Sequence, residues 1–427
     1  MEMKPGYKQT EVGVIPKDWT LSPLAEFMQF QNGVNADKSD YGKGIPFANV
    51  LEVITKSHLC ADDIPGLVRL SRSQAAAYEV KKGDILFNRT SETQEEIGLA
   101  SVYTSENPVV FGGFVIRGRT APGSLNIAFS GYGLRAPIVR QQIIARGQGA
   151  IRANIGQADL RTVLAPLPSI PEQQAIAEAL SDADALIESL EKLVAKKRDI
   201  KQAAMQELLT GKRRLPGFAG AWAEMAIGEV FDFRATATNA RADLSADAGN
   251  AYYIHYGDIH TQFETHIDFR EADFPMIDRQ KCPHAELVKN GDWIVVDASE
   301  DYEGVAKAVE VSGLPDDAAA VSGLHTFLLR EKRPTFAAGF KGYLRQSPPL
   351  QRQLLRLATG MKVFGVSKTA FRDVRIPVPD WREQVTLVDV LSSFTSEIRS
   401  LETLLEKARQ LKQGMMQELL TGRIRLT

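Results

Sequence analysis

The sequence Met-Gln-Glu-Leu-Leu-Thr-Gly occupies residues 205–211 and occurs again, without a change, at residues 416–422. Each copy ends a long, charged and leucine-rich segment, so compositional bias does not account for the match. An internal repeat is examined before anything else because it decides the architecture. The offset of 211 residues is about half of the 427-residue chain. The sequence therefore predicts two tandem copies of one unit.

The same offset aligns further segments upstream of the repeated heptapeptide. It places Ala165–Pro168 over Ile376–Pro379, Glu172-Gln173 over Glu383-Gln384, and Gly131-Tyr132 over Gly342-Tyr343. Nearer the start of each half the match is looser and needs gaps, as for Lys82–Ile85 with Asn290–Trp293 and Trp19 with Trp222. Each unit therefore consists of a variable portion followed by a better-matched tail.

The tail of each unit has the pattern of a long, capped helix. Ser169 and Asp380 each stand three residues before a glutamate, which is the spacing of a capping box. Gly211 and Gly422 close the tails, where glycine can adopt the left-handed conformation that ends a helix. Apolar residues recur between these caps at alternating three- and four-residue steps, which predicts a coiled-coil seam. The seam residues are Ile176, Leu186, Leu190 and Leu193 in the first tail and Leu387, Phe394, Leu401 and Leu404 in the second. We expect two helices of roughly 40 residues, each about 60 Å long.

Charge predicts how the two helices pack. Both are acidic in their first half and basic in their second half. In an antiparallel pair each acidic half meets a basic half, whereas a parallel pair would place like charges together. The same gradient also suits the dipole of each single helix. We expect an antiparallel coiled coil that relates the two units by a pseudo-twofold axis.

The variable portions have the pattern of mixed α and β structure. Short β-rich runs such as 84–87 and 293–296 are bounded by Gly, Asp and Asn, and segments such as 136–145 look helical. The predicted fold class is α+β, with two tandem mixed α/β domains separated by the two long helices. The predicted boundaries are a first domain at 1–168, a first spacer helix at 169–211, a second domain at 212–379 and a second spacer helix at 380–422.

Composition excludes several classes of protein. The chain has a formal net charge of −2 and only two cysteines, Cys60 and Cys282, so neither a disulfide framework nor a cysteine-based metal site is expected. The start of the chain lacks a signal-peptide pattern, and no apolar run approaches the roughly 18–20 residues of a membrane span. We expect a cytoplasmic protein.

Motifs for catalysis are weak throughout the sequence. The glycine-rich stretch 360–369 has valine where a phosphate-binding loop has its lysine, and no Gly-rich cofactor loop follows a predicted strand. His255 and His260, near Asp258, fit ordinary packing and loop polarity better than a metal site. We expect no catalytic residues and no metal site in this chain.

A basic stretch recurs in both units although the whole chain is nearly neutral. Residues 117–161 contain seven Lys or Arg against one acid, and residues 330–375 contain eleven against two. One such stretch could be a solvated helix face, but its recurrence favours a surface that faces phosphates. Base-reading residues should lie on loops and helix ends that can enter the major groove. The DNA-binding candidates are Arg89, Arg146, Gln148, Arg152 and Asn154 in the first domain and Lys341, Arg345, Lys362 and Lys368 in the second.

These residues resemble those of a known family. The Leu-Pro and Pro-Glu-Gln start of the first tail, the long helix, and its Gln-Glu-Leu-Leu-Thr-Gly-Lys-Arg-Arg-Leu end are similar to the DNA-specificity (S) subunit of type I restriction–modification enzymes. The resemblance covers essentially the whole chain. The family's Asn-Ile segment before the proline-rich start of the tail matches Asn154-Ile155, whereas the second copy has Gly365-Val366.

The resemblance implies a function in phage defence and DNA methylation without catalysis by this chain. Two target-recognition domains would each read one half of a bipartite double-stranded DNA site, and the helices would set the number of unread base pairs. Two adenine-N6 methyltransferase (M) subunits would carry S-adenosylmethionine, and restriction (R) subunits would use ATP and Mg. The outer faces of the helices and the segments 212–214 and 423–425 are expected to contact M subunits or DNA.

Two other functions are compatible with the sequence. One is a specificity subunit of a related methyltransferase or defence system that lacks the type I nuclease, which the neighbouring genes would reveal. The other is a coiled-coil scaffold that binds only proteins, which would show no salt-sensitive DNA affinity in complex with its partner.

Overall fold

The computed structural model describes residues 5–149, 152–246, 248–302 and 304–426. Its contacts group the chain into two compact units. Unit 1 comprises Met1–Glu191 with Thr403–Thr427, and unit 2 comprises Lys192–Glu402. Both long helices are thus divided between the units, since each helix contributes one half to each core.

Unit 1 contains a mixed set of short strands and helices. Its strands are β1 (Tyr7–Thr10), β2 (Gly13–Pro16), β3 (Thr20–Pro23), β4 (Met28–Asn32), β5 (Tyr41–Ala48), β6 (His58–Leu59), β7 (Leu67–Val68), β8 (Glu79–Val80), β9 (Ile85–Asn88), β10 (Thr90–Ser91), β11 (Ala100–Tyr103), β12 (Val109–Phe111), β13 (Val115–Thr120), β14 (Ala153–Asn154) and β15 (Leu164–Leu167). Its helices are α1 (Leu24–Phe27), α2 (Val50–Thr55), α3 (Arg72–Ala77), α4 (Ile127–Gly133), α5 (Pro137–Arg146), α6 (Gln157–Arg161) and the first half of α7 (Ile170–Leu208).

Unit 2 contains the corresponding elements of the second repeat. Its strands are β16 (Ala223–Ala226), β17 (Phe231–Arg234), β18 (Ala251–Ile254), β19 (His266–Asp268), β20 (Met276–Ile277), β21 (Trp293–Val296), β22 (Ala298–Ser299), β23 (Ala308–Ser312), β24 (Ala320–Ser322), β25 (Thr326–Glu331), β26 (Phe364–Gly365) and β27 (Arg375–Val378). Its helices are α8 (Ile227–Val230), α9 (Tyr256–Gln262), α10 (Phe340–Leu344), α11 (Pro348–Leu357), α12 (Lys368–Arg372) and the first half of α13 (Trp381–Leu419).

The two units share one sheet topology. The main sheet has the order β4-β13-β9-β11-β6 in unit 1 and β17-β25-β21-β23-β19 in unit 2. A second sheet follows the order β7-β5-β12-β8 in unit 1 and β20-β18-β24 in unit 2. In the main sheets, β6 is parallel to β11 and β19 is parallel to β23. All other pairs in these sheets are antiparallel. The repeat seen in the sequence is therefore a repeat of fold, and the prediction of two mixed α/β domains is confirmed.

The central strand of each main sheet is buried on both faces. Because successive side chains point to opposite faces of a strand, Ile85 and Phe87 of β9 enter one core cluster while Leu86 enters another. In β21, Trp293 and Ile294 are divided between two clusters in the same way. Each sheet thus lies between two layers of core, which fixes the position of the residue that follows its central strand.

The long helices pack antiparallel within each unit, as predicted. In unit 1, Leu419 at the end of α13 shares a core with Ile176 near the start of α7, and the pair Glu191–Arg409 (2.6 Å) lies further along. In unit 2, Leu208 at the end of α7 shares a core with Leu387 near the start of α13. Opposite charges meet along both halves, in the further pairs Asp184–Lys412, Lys197–Glu397 and Arg198–Glu402.

The buried stripe of these helices differs in part from the predicted seam. Ile176, Leu190 and Leu387 are buried and Phe394 and Leu401 are half-buried, but the exposed fractions of Leu186, Leu193 and Leu404 are 48%, 38% and 48%. The packed positions alternate with these and include Leu180, Val194, Leu391, Ile398 and Ala408. Each helix therefore carries two apolar stripes, and periodicity alone could not tell which one faces the partner helix.

The helix ends are held partly by the predicted caps. The amide of Glu172 lies 3.4 Å from Ser169 Oγ, and the amide of Arg382 donates to Asp380 Oδ1 at 2.9 Å. Gly211 and Gly422 have φ values of 66° and 69°, in the left-handed region. A Cβ atom at Gly422 would also lie 2.5 Å from Pro16 Cγ, so this position needs glycine for space as well as for conformation. In the described part of the chain, no helix is both long and apolar enough to cross a membrane.

Candidate nucleic-acid interface

In unit 1 the candidate residues gather where the central strand β9 ends. Arg89 is the first residue after β9, and its amide donates to Phe114 O at 2.8 Å. The amide of Ile155 in turn donates to Arg89 O at 3.0 Å. The short pair β10–β14 places Thr90 opposite Asn154. This backbone frame brings Arg89 beside the segment that contains Asn154.

That segment comprises residues 148, 149 and 152–154, whose ends pair in an antiparallel bridge, and we call these residues hairpin 1. Gln148 and Asn154 exchange backbone hydrogen bonds of 2.9 and 2.8 Å at its base. Gln148, Arg152 and Asn154 are exposed on it, as is Arg89 beside it. The structure thus brings together four of the five candidates of the first domain.

The roles of these side chains differ. Asn154 holds hairpin 1, because its Oδ1 accepts from Thr90 Oγ1 at 2.8 Å and its Nδ2 donates to Arg152 O at 3.0 Å. Arg146 is half-buried and donates to Thr162 Oγ1 at 3.1 Å and to Gln142 O at 2.9 Å. Arg89 makes a single long contact, 3.5 Å, with Gly113 O. The Arg89 side chain is therefore only weakly held by the rest of the chain.

Unit 2 repeats this frame with other side chains. Residues 359–365, which we call hairpin 2, are closed by hydrogen bonds of 3.0 and 2.8 Å between Thr359 and Gly365. Its tip carries Met361, which is 97% exposed, and the exposed Lys362. Lys368 is exposed at the start of α12, with its Nζ 5.1 Å from the centre of the Phe233 ring.

Both hairpins depend on a glycine. Gly149 has φ of 118° and Gly360 has φ of 141°, conformations that residues with side chains rarely adopt. A Cβ atom there would lie 2.1 Å from Arg152 O in hairpin 1 and 1.9 Å from Val363 O in hairpin 2. Both units therefore need a glycine directly after the first residue of the bridge.

Lys341 and Arg345 must be removed from the DNA-binding candidates. Lys341 is 2% exposed, and its ammonium lies 3.1 Å from Glu310 and 2.7 Å from Glu331. Arg345 is also buried and donates to Val305 O at 3.2 Å. The sequence shows their charge but not that α10 lies against the sheet, where two carboxylates neutralise the lysine.

Other cations of the basic stretches also have structural partners. Arg119 pairs with Asp84, and Arg330 with Asp292, at 2.6 Å in both units. Arg135 donates to four backbone carbonyls, and its burial lowers its pKa to about 10. Only part of each basic stretch is therefore available to a nucleic acid.

Three residues that the sequence did not single out lie at the corresponding strand ends of the two units. Phe114, the residue before β13, is 59% exposed although it is aromatic. Asp297 follows β21 and His325 precedes β25, so they occupy the positions of Arg89 and Phe114 in unit 2. The pairing of Lys82–Ile85 with Asn290–Trp293 could have indicated Asp297, because it aligns the two central strands.

The segments 212–214 and 423–425 contain an internal anchor. Arg214 forms an ion pair with Glu383 at 2.5 Å, and Arg425 with Glu172 at 2.5 Å. The same two glutamates accept hydrogen bonds from the indoles of Trp222 and Trp19, respectively. These two arginines thus hold the starts of the long helices, which leaves Lys212, Arg213 and Arg423 as the exposed cations of the two segments.

Among the residues that the structure describes, no group of three or more His, Cys, Asp or Glu side chains could hold a metal ion. Two cavities of about 910 and 1040 Å³ lie along α13 in unit 2, and charged and amide side chains such as Gln202, Arg352 and Glu271 line them.

Comparison with known proteins agrees with this arrangement. The family model described as type I restriction modification DNA specificity domain matches residues 16–197. The putative type I restriction enzyme MjaX specificity subunit of Methanocaldococcus jannaschii is 24% identical over 438 residues, covering 98% of this chain and 97% of that protein.

Solved structures extend the likeness over both units. The S subunit of a type I restriction–modification system from M. genitalium aligns with a TM-score of 0.55 and 15% identity, over 98% of this chain and 99% of that one. A chain from a structural study of complex assembly and conformational transition of the type I R-M system aligns with a TM-score of 0.61 and 16% identity, over 96% and 99%. The first part of the chain thus matches the DNA specificity domain model, the whole chain is similar to a type I restriction enzyme specificity subunit, and its fold is that of the solved S subunit.

Proposed function

We propose that this chain is the DNA sequence-specificity subunit of a type I restriction–modification complex. Each unit reads one half of a bipartite DNA site, and partner subunits carry out adenine-N6 methylation and restriction. The observation that carries the proposal is the repeated frame of strand end and hairpin, which presents different exposed side chains in the two units. One fold with two side-chain sets is what two unlike half-sites require, because base contacts specify sequence while the scaffold only positions them.

The long helices act as the spacer between the two half-sites. Each has 39 residues, which corresponds to about 60 Å of helix. Half-sites on one face of B-DNA are centred about 34–36 Å apart, or a multiple of that distance. Helices of this length can therefore fix the number of unread base pairs.

The second apolar stripe of the helices is the docking surface for the methyltransferase subunits. Leu186, Leu193 and Ile200 lie seven residues apart on α7, and Leu404 and Leu411 lie seven apart on α13. All five are exposed, although leucine and isoleucine at heptad spacing normally face another helix. A partner helix that covers these side chains would remove the exposed apolar surface. Because α7 and α13 each carry a stripe, two M subunits can dock.

The cofactors belong to the partners. S-adenosylmethionine binds the M subunits, and ATP with Mg binds the R subunits. This chain then contributes recognition, and its presence decides which adenines are methylated.

Methylation mapping tests the proposal directly. The full chain is produced with its cognate M subunit in a host that lacks other adenine methylation, and methylated positions are mapped over the genome. We expect one bipartite motif with a fixed gap, and no methylation when either subunit is produced alone. Methyl transfer by this chain alone, or methylation by the M subunit with an unchanged pattern when this chain is absent, would contradict the proposal. Salt-independent DNA binding by the complex would contradict it as well, because phosphate contacts release counterions.

A further inference from the structure

The residue after the central strand occupies the same backbone frame in both units. The Arg89 amide donates to Phe114 O at 2.8 Å, and the Asp297 amide donates to His325 O at 3.1 Å. The carbonyls of Arg89 and Asp297 accept from Ile155 and Val366 at 3.0 and 2.9 Å. Arg89 and Asp297 are thus equivalent positions, each held between a strand end and a hairpin.

Charges that serve the fold are the same in both units at the other end of this strand. Arg119 pairs with Asp84 in unit 1, and Arg330 pairs with Asp292 in unit 2, both at 2.6 Å. These pairs join the central strand to its neighbour. Where the fold needs a charge, the two units therefore keep it.

At the hairpin end the chemistry is opposite. Unit 1 has the cation Arg89 beside the exposed ring of Phe114, and unit 2 has the carboxylate of Asp297 beside the imidazole of His325. A position with one backbone geometry and opposite charges has no common structural task. The residue type at this position can therefore differ between the units and suit the ligand that each unit binds.

Both side chains have unused hydrogen-bonding capacity. Within the described residues Arg89 forms no ion pair, and its one hydrogen bond, to Gly113 O, is 3.5 Å long. Asp297 Oδ1 is buried and lies 3.4 Å from His325 Nδ1, so Oδ2 of this partly exposed side chain is the acceptor that can meet a ligand. Burial raises the pKa of Asp297, and the neighbouring His325 only partly opposes this rise.

The chemistry of the DNA grooves assigns a base to each position. Arginine donates two hydrogen bonds to O6 and N7 of guanine, and aspartate accepts from the N4 amino group of cytosine. Phosphates repel a carboxylate, so an aspartate on a DNA-facing surface is favourable only where it meets a base amine.

We propose that Arg89 and Asp297 are equivalent specificity-determining residues, of which Arg89 reads a guanine of the first half-site and Asp297 accepts from the amino group of a cytosine of the second. The inference rests on the proposed function of the chain. Phe114 and His325 flank these contacts and position the two side chains.

Methylome mapping of single variants tests the assignment in the intact complex. The full chain with its M subunit is compared with Arg89→Gln and Asp297→Asn, two substitutions of similar shape that leave the backbone frame in place. We expect Arg89→Gln to relax one G·C pair of the first half-site only, and Asp297→Asn to relax one G·C pair of the second only. The gap should not change. Arg72→Gln and Asp316→Asn, the same replacements at exposed positions of the same units, should leave both half-sites intact.

Modified duplexes test the atoms without changing the protein. 7-Deazaguanine at the pair assigned to Arg89 should weaken binding of the wild-type complex by about 5- to 100-fold, and N4-methylcytosine, which can keep its pairing with guanine, should do the same at the pair assigned to Asp297. Each modified base should have little further effect on the matching variant. Half-sites that are unchanged in the variants, or a wild-type second half-site without a G·C pair, would overturn the inference. A wild-type complex that deposits no bipartite methylation would instead overturn the proposed function, so the two failures are distinct.

Discussion

Trp19 donates its indole N–H to Glu172 Oε2 at 3.0 Å in the interior of unit 1, and Trp222 makes the same hydrogen bond to Glu383 at 2.8 Å in unit 2. Each glutamate also holds an arginine, and both arginines follow a Thr-Gly helix end. The glutamate at the third position of each tail therefore joins three segments of the chain. In unit 1 these segments include both the start and the end of the described chain, because Arg425 also pairs with Asp18 at 2.6 Å.

Removing this glutamate should destabilise unit 1. Glu172→Ala leaves the Arg425 guanidinium and the Trp19 N–H without their buried acceptor, and breaking a buried ion pair in this way costs about 3 kcal/mol. The free energy of unfolding is measured by urea denaturation of the full chain. Glu178→Ala, an exposed glutamate two turns along the same helix, serves as the control and should change it by less than about 0.5 kcal/mol. Equal effects of the two substitutions would contradict the anchor.

Lysines of the second basic stretch should affect either the stability of the chain or its binding to DNA. Lys341→Ala removes the cation between Glu310 and Glu331, so it should lower the free energy of unfolding by about 3–5 kcal/mol. Lys362→Ala, on hairpin 2, should leave stability unchanged but weaken DNA binding by the complex and reduce its salt slope by about 1. Binding is measured by fluorescence titration at several salt concentrations. A Lys341→Ala variant that keeps its stability and loses DNA affinity would restore that lysine to the candidates.

Alanine at the hairpin glycines should impair DNA binding more than folding. Gly360→Ala forces a side chain against Val363 O and into a conformation with φ of 141°, so hairpin 2 must rearrange. We expect the affinity for the second half-site to fall while the Tm of the full chain changes little, because the hairpin projects from the core. Gly414→Ala is the matched control, and we expect it to raise the stability of the chain. It lies within α13 with open space around it, so alanine should stabilise the helix by about 1 kcal/mol without affecting DNA.

The sequence predicts the scaffold of this protein better than its recognition surface. The repeat of Met205–Gly211 and the charge gradient of the tails were enough to predict two antiparallel helices of 39 residues, because helix periodicity and charge pairing are local properties. The choice of buried stripe, Val194 rather than Leu193, depended on the partner helix. The positions of Asp297 and Lys341 depended on sheet order, which brings residues distant in sequence together, and no local pattern encodes it.

Acid should destabilise unit 1 through His58. This imidazole is mostly buried, packs 4.6 Å from the Tyr132 ring and hydrogen-bonds to Ala128 O, and burial lowers its pKa below the usual 6.5. The unfolded chain therefore binds this proton more readily than the folded one, so stability is complete above pH 6.5 and falls as the pH drops below it. We expect His58→Gln to flatten the decline in the free energy of unfolding between about pH 7 and 5. Replacement of the exposed His284 by glutamine should leave the slope as in the wild type.

The two apolar stripes of the long helices should respond differently to a polar substitution. Leu391 is fully buried, so Leu391→Gln should cost about 2–4 kcal/mol of stability and lower the Tm of the chain. Leu404 is 48% exposed on the same helix, so Leu404→Gln should leave the Tm within a few degrees while the M subunit no longer co-purifies at wild-type yield. Differential scanning fluorimetry and a pull-down with tagged M subunit measure the two effects on the same preparations. If Leu404→Gln retained the M subunit with unchanged affinity in calorimetry, and Leu411→Gln did the same, the exposed stripe of α13 would not be the docking surface.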